Sequence, residues 1–164
     1  MTQNSYEESY LGQLRKRVGK EKLLIIATRA VIRDHQGQIL FIRRRDNGVW
    51  AMPAGAMELE ESVYDCVVRE VWEESGLAVQ AATLFAIWSE PQRTSITTAY
   101  GEPYQVVSFI FRIDAWSGQL LTKTDETIDA RFFSPEALPE TPPHYHQTLA
   151  ELKQFEENGQ LILR

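Results

Sequence analysis

The sequence predicts a layered domain of the α/β or α+β class, and three observations support this prediction. Several apolar segments rich in β-branched and aromatic residues are bounded by turn residues, as strands are. A few other segments carry apolar residues at the helical spacing of three and four. The 164 residues are enough to bury one core, so we expect a single domain over 1–164.

The first predicted element is an amphipathic helix within residues 1–20. Ser5 and Glu8 have the spacing of a capping box, and Gly19 is placed to end the helix. Apolar residues recur every four positions, at Tyr6, Tyr10, Leu14 and Val18. The sequence leaves the oligomeric state open, and this helix is the candidate element of a homodimer interface.

Two β-rich runs follow, at 22–33 and 38–45, around a turn at 34–37. This arrangement predicts a hairpin or near-hairpin. Three later runs are also expected to form strands, at 78–88, at 104–113 and near 128–133. Because the run 104–113 is almost wholly apolar, we expect it to be a central strand covered on both faces. The residues between Pro91 and Pro103 are expected to form a loop.

The remaining helices are predicted from their end signals. A loop over 47–61 leads into an acidic helix, with Ser62 as the N-cap and Gly76 as the residue that ends it. A short helix is expected to begin at Ser134 and Pro135. The last helix is amphipathic, and its inner side carries Tyr145, Leu149, Leu152 and either Phe155 or Glu156.

Composition excludes several classes of function. A net charge of −6 argues against a dedicated nucleic-acid binder, because such proteins rely on clustered Lys and Arg. Cys66 is the only cysteine, so no intramolecular disulfide forms, and this suits a reducing compartment. The sequence has neither a basic leader followed by an apolar stretch nor an apolar run long enough to cross a membrane. We therefore expect a soluble cytoplasmic protein without membrane association.

The acidic helix contains the stretch REVWEESG, residues 69–76, in which Glu70, Glu73 and Glu74 converge on one side. Charge runs are often only a solvated surface. Here, however, Val63 and Val67 occupy the same side one and two turns earlier. A face that is apolar at one end and acidic at the other is partly buried, so a cation is expected opposite the carboxylates.

A longer pattern surrounds this stretch. Gly55 is followed by five residues, Glu61 by seven, and then by REVWEESGL. From Gly55 to Leu77 the pattern resembles the signature of the Nudix hydrolase family at every specified position. The segments 50–55 and 125–139 also resemble the lead-in and the late strand of that family. Two positions depart from it, because Ala54 and Glu60 stand where glycine is common.

The resemblance implies a Nudix-type α/β/α sandwich with a central mixed β-sheet and a loop-helix-loop. It also implies a Mg²⁺-dependent pyrophosphohydrolase, with Mn²⁺ as the alternative ion, since hard cations take oxygen ligands and bridge carboxylates to phosphates. Its substrate would be a small molecule in which a nucleoside diphosphate is linked to another moiety. ADP-ribose, nucleoside triphosphates and dinucleoside polyphosphates all have this form.

The resemblance also implies roles for individual residues. Glu73 and Glu74 are the main metal ligands, Glu70 is a ligand or a base, and the Ala54 carbonyl is a further ligand. Glu61 and Arg69 form an orienting ion pair, and the structural glycines of the signature are Gly55 and Gly76. The general base is either Glu70 or Glu126, a glutamate of a later loop.

Substrate contacts are less specifically encoded. Arg44 is a candidate for clamping a phosphate, with a solvated strand arginine as the alternative. Trp50, Trp88 and Tyr104 are candidates for stacking on a nucleobase, with packing as the alternative. The spacing of His144 and His146 does not indicate a metal site, because they follow two prolines and no soft ligand is near in sequence.

Two other functions are open to a chain of this pattern. A catalytically silent Nudix-like nucleotide-binding regulator would be expected to lose glutamates of the signature, and this chain retains all four. An isoprenoid diphosphate isomerase needs a protonating Cys and Glu pair. Cys66, on the acidic helix, is poorly placed for that role.

Overall fold

Two β-sheets and four helices make up residues 7–98 and 101–164, which are the residues described by the computed structural model. The helices are α1 (Tyr10–Val18), α2 (Val63–Ser75), α3 (Pro91–Thr94) and α4 (Pro143–Asn158). The strands are β1 (Leu23–Ile32), β2 (Ile39–Arg44), β3 (Trp50–Ala51), β4 (Ala54–Ala56), β5 (Ala78–Trp88), β6 (Ser95–Thr97), β7 (Pro103–Ser117), β8 (Thr127–Phe133) and β9 (Ile162–Leu163). None of these helices is both long and apolar enough to span a bilayer.

The larger sheet is mixed and has the strand order β4-β1-β7-β5-β9, with β6 paired to β7. Strands β1 and β7 run parallel from the pair Leu23 and Tyr104 to the pair Ile32 and Ile113. Strand β7 lies in the middle of the sheet, as its apolar sequence predicts. The smaller sheet is antiparallel, in the order β3-β2-β8.

Alternation along the strands divides the core into two layers. In β1, Val31 packs in a cluster that includes Tyr145 and Leu152 of α4. Its neighbours Ala30 and Ile32 pack in a second cluster with residues of α2, Val67 and Val71. Because successive side chains of a strand point to opposite faces, the sheet lies between the two helices. The predicted α/β/α sandwich with a central mixed sheet is confirmed.

Helix α2 has the predicted boundaries. The Ser62 hydroxyl accepts a hydrogen bond from the Asp65 N–H at 3.1 Å, which satisfies one of the free donors of the first turn. Gly76 ends the helix with φ +73° and donates its N–H to the Trp72 carbonyl. A Cβ at Gly76 would lie 2.5 Å from the Leu121 side chain, so glycine is required there by both conformation and space.

The predicted hairpin is wrong beyond its base. The Asp34 carboxylate accepts the N–H groups of Gln36 and Gln38 and closes the turn, and one isolated bridge joins Arg33 to Ile39. Strands β1 and β2 then diverge into different sheets, where β2 pairs with β3 and β8. The end of β1, residues 30–32, and the start of β2, residues 39–42, are apolar and buried on both faces, which a two-stranded ribbon could not achieve.

Three smaller expectations also need correction. Helix α1 begins at Tyr10 and is capped by Ser9, whose hydroxyl accepts the Gly12 N–H at 3.0 Å; Ser5 and Tyr6 lie outside the described residues. The expected loop after Pro91 contains α3 and β6. The expected helix at Ser134 is only a turn, closed by the Ala137 N–H on the Ser134 carbonyl. Pro142, the N-cap of α4, follows only five residues after Ala137, which leaves no room for a helix.

Glu60 is the only described residue other than glycine with a positive φ, +61°. This is the position at which the family commonly has glycine, and a side chain in the left-handed region costs roughly 1–2 kcal/mol. We predict that Glu60→Gly raises the free energy of unfolding by roughly 0.5–1 kcal/mol in urea titrations, after the extra entropy of glycine in the unfolded chain is subtracted. Glu60→Ala is the matched control, because it removes the same charge and keeps the strain. Equal stability of the two variants would contradict the assignment.

Candidate functional site

Three carboxylates from two segments meet beside α2. Glu70, Glu74 and Glu126 each place one oxygen within 4.8 Å of the others. Glu70 and Glu74 lie one turn apart on α2 and are buried, whereas Glu126 precedes β8 and is exposed. Like charges this close repel each other, and a cation between them would turn the repulsion into attraction.

Glu73, an expected ligand, is not in this group of three. It is buried beside the group, and its carboxylate accepts a hydrogen bond from Arg69 at 3.0 Å. The structure therefore brings together Glu70, Glu74 and Glu126, while Glu73 lies beside them and is bound by Arg69. Only the resemblance could indicate Glu126, because it lies fifty positions after Gly76, which ends α2.

Gly55 allows Glu70 to approach the strand β4. A Cβ built on Gly55 would lie 2.0 Å from the Glu70 carboxyl carbon, so no other residue fits there without moving the carboxylate. The first glycine of the signature is thus required by close approach and not by an unusual backbone conformation.

Arg69 ties the loop before α2 to the helix. Its guanidinium donates to both oxygens of Glu61, at 2.7 and 3.0 Å, and to the Ala56 carbonyl at 3.0 Å. It also donates to Glu70 at 2.6 Å and to Glu73 at 3.0 Å. These are the contacts that the orienting role of Glu61 and Arg69 requires, because one cation fixes the loop and two carboxylates at once.

Glu74 is fully buried and held from three directions. One carboxylate oxygen accepts the Ala54 N–H at 2.8 Å, and the other accepts Arg44 Nη1 at 3.4 Å. Its backbone carbonyl accepts the buried Thr127 hydroxyl at 2.8 Å. Thr127 follows Glu126, so this bond fixes the loop carboxylate relative to the helix. Sequence reasoning missed Thr127, because a threonine at the start of a strand is ordinary.

Arg44 is the one predicted substrate residue that lies against the carboxylate group. Besides Glu74, it contacts both oxygens of Asp46 at 3.1 Å. Asp46 was also missed, since an aspartate two residues after a strand arginine has no distinctive spacing. Hydrogen bonding to Asp46 and the charge of Glu74 raise the pKa of Arg44 despite its burial, so this cation persists beside the group.

The expectation that Trp88 and Tyr104 stack on a nucleobase needs correction, because both rings are buried. Trp88 is 2% exposed and donates its Nε1–H to Glu151 at 2.6 Å. Tyr104 is 3% exposed and lies under Arg15, whose Nε donates to the hydroxyl at 3.2 Å. Trp50 packs edge-on against Phe133. These rings serve packing, as the alternative reading of each residue proposed.

Burial and like charge raise the proton affinity of the group. Burial, with added repulsion from Glu126 and Glu73, raises the pKa of Glu70 to about 7 against the attraction of Arg69. Burial and the charge of Glu70 raise the pKa of Glu74 well above its usual value. Burial also raises the pKa of Glu126, with Arg44 opposing it. Near neutral pH the group therefore retains protons that a cation would displace.

These shifts predict a pH dependence of stability in EDTA. The unfolded chain has lost the Glu70 proton by pH 6.5, whereas the folded chain loses it near pH 7, so the free energy of unfolding falls as pH rises from 6.5 to 8. Glu70 alone accounts for roughly 1 kcal/mol of the fall. His144, whose pKa burial lowers to about 4, has the opposite sign and offsets part of this fall, because its unfolded imidazole still loses its proton as the pH rises from 6.5. This contribution is the same in the wild type and in Glu70→Gln, so the difference between the two proteins reports Glu70. Urea titrations should show a smaller fall for Glu70→Gln, and an identical fall would contradict the assignment.

Comparison with known proteins places this geometry in a family. The model of the NUDIX domain matches residues 23–152. A MutT-like protein of Streptomyces ambofaciens is 31% identical over 102 residues, which cover 62% of this chain and 59% of that protein. An ADP-ribose pyrophosphatase of Methanocaldococcus jannaschii is 34% identical over 110 residues, which cover 65% and 60%. The chain thus spans about six tenths of these two relatives.

A solved structure agrees with the sequence relatives. The MutT NUDIX hydrolase of Burkholderia pseudomallei aligns with a TM-score of 0.62 at 29% identity, covering 80% of this chain and 97% of that chain. The family model extends from the start of β1 into α4 and so includes the carboxylate group and every strand of both sheets except β9. The chain belongs to the NUDIX domain family.

Proposed function

We propose that the chain is a Mg²⁺-dependent pyrophosphohydrolase that cleaves a phosphoanhydride of a nucleoside diphosphate linked to another moiety. The observation that carries the proposal is that Glu70 and Glu74, on the helix of the family signature, meet Glu126, in the loop before β8, within 4.8 Å. Membership of the family and the name of the archaeal relative, an ADP-ribose pyrophosphatase, support the class of substrate.

The donor chemistry of the group fits a hard divalent cation. All of its side-chain donors are carboxylate oxygens, which Mg²⁺ and Mn²⁺ prefer over nitrogen and sulfur. Glu70, Glu74 and Glu126 would hold the ion, with Glu73 and the Ala54 carbonyl as further donors. When bound, such an ion neutralises phosphate charge and lowers the pKa of a bound water.

The side chains around the ion have separate tasks. Arg44 directs a persistent positive charge toward the group and is placed to neutralise a non-bridging phosphate oxygen. Arg69 keeps Glu70 and Glu73 oriented, and the Ala54 N–H does the same for Glu74. Because these groups are held before substrate binds, little reorganisation is needed as charge develops on the leaving phosphate.

Of the two candidates for the general base, the contacts favour Glu126. One oxygen of Glu70 already accepts Arg69 Nη1 at 2.6 Å, and the carboxylate is buried, so it is less accessible to a water molecule than Glu126 is. The Glu126 carboxylate accepts no hydrogen bond from any described residue, and partial desolvation by the surrounding protein raises its pKa. It is also exposed, so a water molecule can reach it. We therefore assign the proton released by the attacking water to the Glu126 carboxylate oxygen that does not hold the ion.

The two alternative functions are less well supported. A regulator without catalysis has no need to keep Glu70, Glu74 and Glu126 together, because their mutual repulsion destabilises the fold. An isomerase would need an accessible thiol as acid. Cys66 is buried with its Sγ against Thr28 at 3.3 Å, and burial raises the pKa of that thiol to about 12.

A substrate panel distinguishes the hydrolase from the two alternative functions. It contains ADP-ribose, nucleotide sugars, nucleoside triphosphates and dinucleoside polyphosphates, and each is assayed by chromatography with Mg²⁺ and with EDTA. Binding without product across the panel would support the regulator.

We predict that Glu74→Gln lowers kcat by at least about 10²-fold, because a neutral amide neither holds the cation nor balances Arg44. Steady-state kinetics on the substrate found in the panel give the value, and circular dichroism verifies the fold. Glu157→Gln, the same change on the exposed side of α4, is the matched control and should turn over like the wild type. A turnover of Glu74→Gln close to that of the wild type would contradict the proposed hydrolase function.

We predict that Glu126→Gln lowers kcat by about 10²- to 10⁴-fold and removes the acidic limb of the pH–rate profile. The limb should persist in Glu73→Gln, which alters a neighbouring carboxylate that is already bound by Arg69. If the limb persists in Glu126→Gln and disappears in Glu70→Gln, the base is Glu70 instead.

A further inference from the structure

Arg29, in β1, is a half-buried cation that has no carboxylate partner in the part of the chain that the structure describes. Its Nη1 donates to the Thr148 hydroxyl of α4 at 2.9 Å. Its guanidinium carbon lies 4.9 Å from the centre of the Tyr145 ring and 5.2 Å from that of Trp88. Its Nε is buried and has no acceptor among residues 7–98 and 101–164, and no carboxylate of those residues lies within ion-pairing distance.

This arrangement differs from that of the other buried or half-buried arginines. Arg15, Arg44 and Arg69 each contact at least one carboxylate. A charge removed from water without a counter-ion costs several kcal/mol, which the aromatic rings and one hydroxyl offset only in part. In agreement, burial lowers the pKa of Arg29. Proteins usually keep such an unpaired buried cation where a bound ligand supplies the negative charge that pairs with it.

The free part of the guanidinium has a defined shape. Since Nη1 is bonded to Thr148, the unbonded donors are Nε and Nη2, which point the same way from one edge of the planar group. Two parallel N–H donors match two oxygens of one phosphate or carboxylate. Arg29 is half-buried: its Nε is inaccessible, whereas the unbonded Nη2 is not, so a ligand would approach this edge from the Nη2 side.

Arg29 is adjacent to the carboxylate group but on the other face of the larger sheet. It pairs in register with Ala54, whose N–H holds Glu74. Its neighbour Tyr145 is within electrostatic range of Arg29, Arg44 and Glu74 together. An extended substrate whose diphosphate lies at Glu74 and Arg44 can therefore reach Arg29 with a more distant group.

We propose that Arg29 binds a phosphate group of the substrate other than the two joined by the scissile bond. The substrate class would then be nucleotides that carry an additional phosphate, as nucleoside triphosphates and dinucleoside polyphosphates do, and not ADP-ribose itself. The choice of substrate rests on the proposed function, whereas the anion site itself does not.

The anion site is tested without metal and without catalysis. Inorganic phosphate is titrated into the protein in EDTA at constant ionic strength, with chloride as the reference salt, and binding is followed by calorimetry. Arg29→Gln should weaken phosphate binding at least tenfold. Arg33→Gln is the matched control, because Arg33 follows the same strand and is already paired with Glu156 at 2.6 Å. Equal binding by wild type and Arg29→Gln would overturn the proposal.

A stability measurement separates this role from a structural one. Without phosphate, Arg29→Met should melt at the same temperature as the wild type or higher, because an uncompensated charge is replaced by an apolar chain of similar length. A clearly lower melting temperature would assign Arg29 to packing and overturn the proposal. If phosphate binding depends on Arg29 but no panel compound is hydrolysed, the proposed function fails and the anion site stands.

Discussion

The guanidinium of Arg69 is the contact on which the site depends. Glu61, Glu70 and Glu73 all bind it, and so does the Ala56 carbonyl. Without a central cation, the carboxylates of α2 would repel each other, and the loop before the helix would have no fixed position. Arg69 thus keeps Glu70 against Gly55, where only a glycine leaves room for it.

The divergence of the two sheets supplies the other half of the site. The larger sheet contributes β4, whose Ala54 N–H holds Glu74, and β1, which carries Arg29 on its opposite face. The smaller sheet contributes Arg44 from β2 and positions Glu126 ahead of β8. Helix α2 lies where these elements meet. If β1 and β2 formed a hairpin within one sheet, they would not surround the helix in this way. The divergence of the two strands, which the sequence did not predict, is therefore what assembles the site.

The features of the site that could be predicted depend on residues close to each other in the sequence. The boundaries of α2 follow from Ser62 and Gly76, and the signature residues lie on one short stretch, so their shared face follows from helical geometry. The partners that could not be predicted come from distant segments. Thr127 bonds to α2 through a hydroxyl with no special spacing, and the burial of Trp88 depends on Glu151 of α4. The missing counter-charge of Arg29 is visible only when all its neighbours are known.

The central claim is that the carboxylates of α2 and the loop before β8 form one cation site. Thermal unfolding with and without Mg²⁺ tests it most directly, because an ion that binds only the folded chain raises its melting temperature. Mg²⁺ should raise the melting temperature of the wild type clearly more than that of Glu74→Gln, with Glu157→Gln behaving as the wild type. Equal shifts for the wild type and Glu74→Gln would contradict the account.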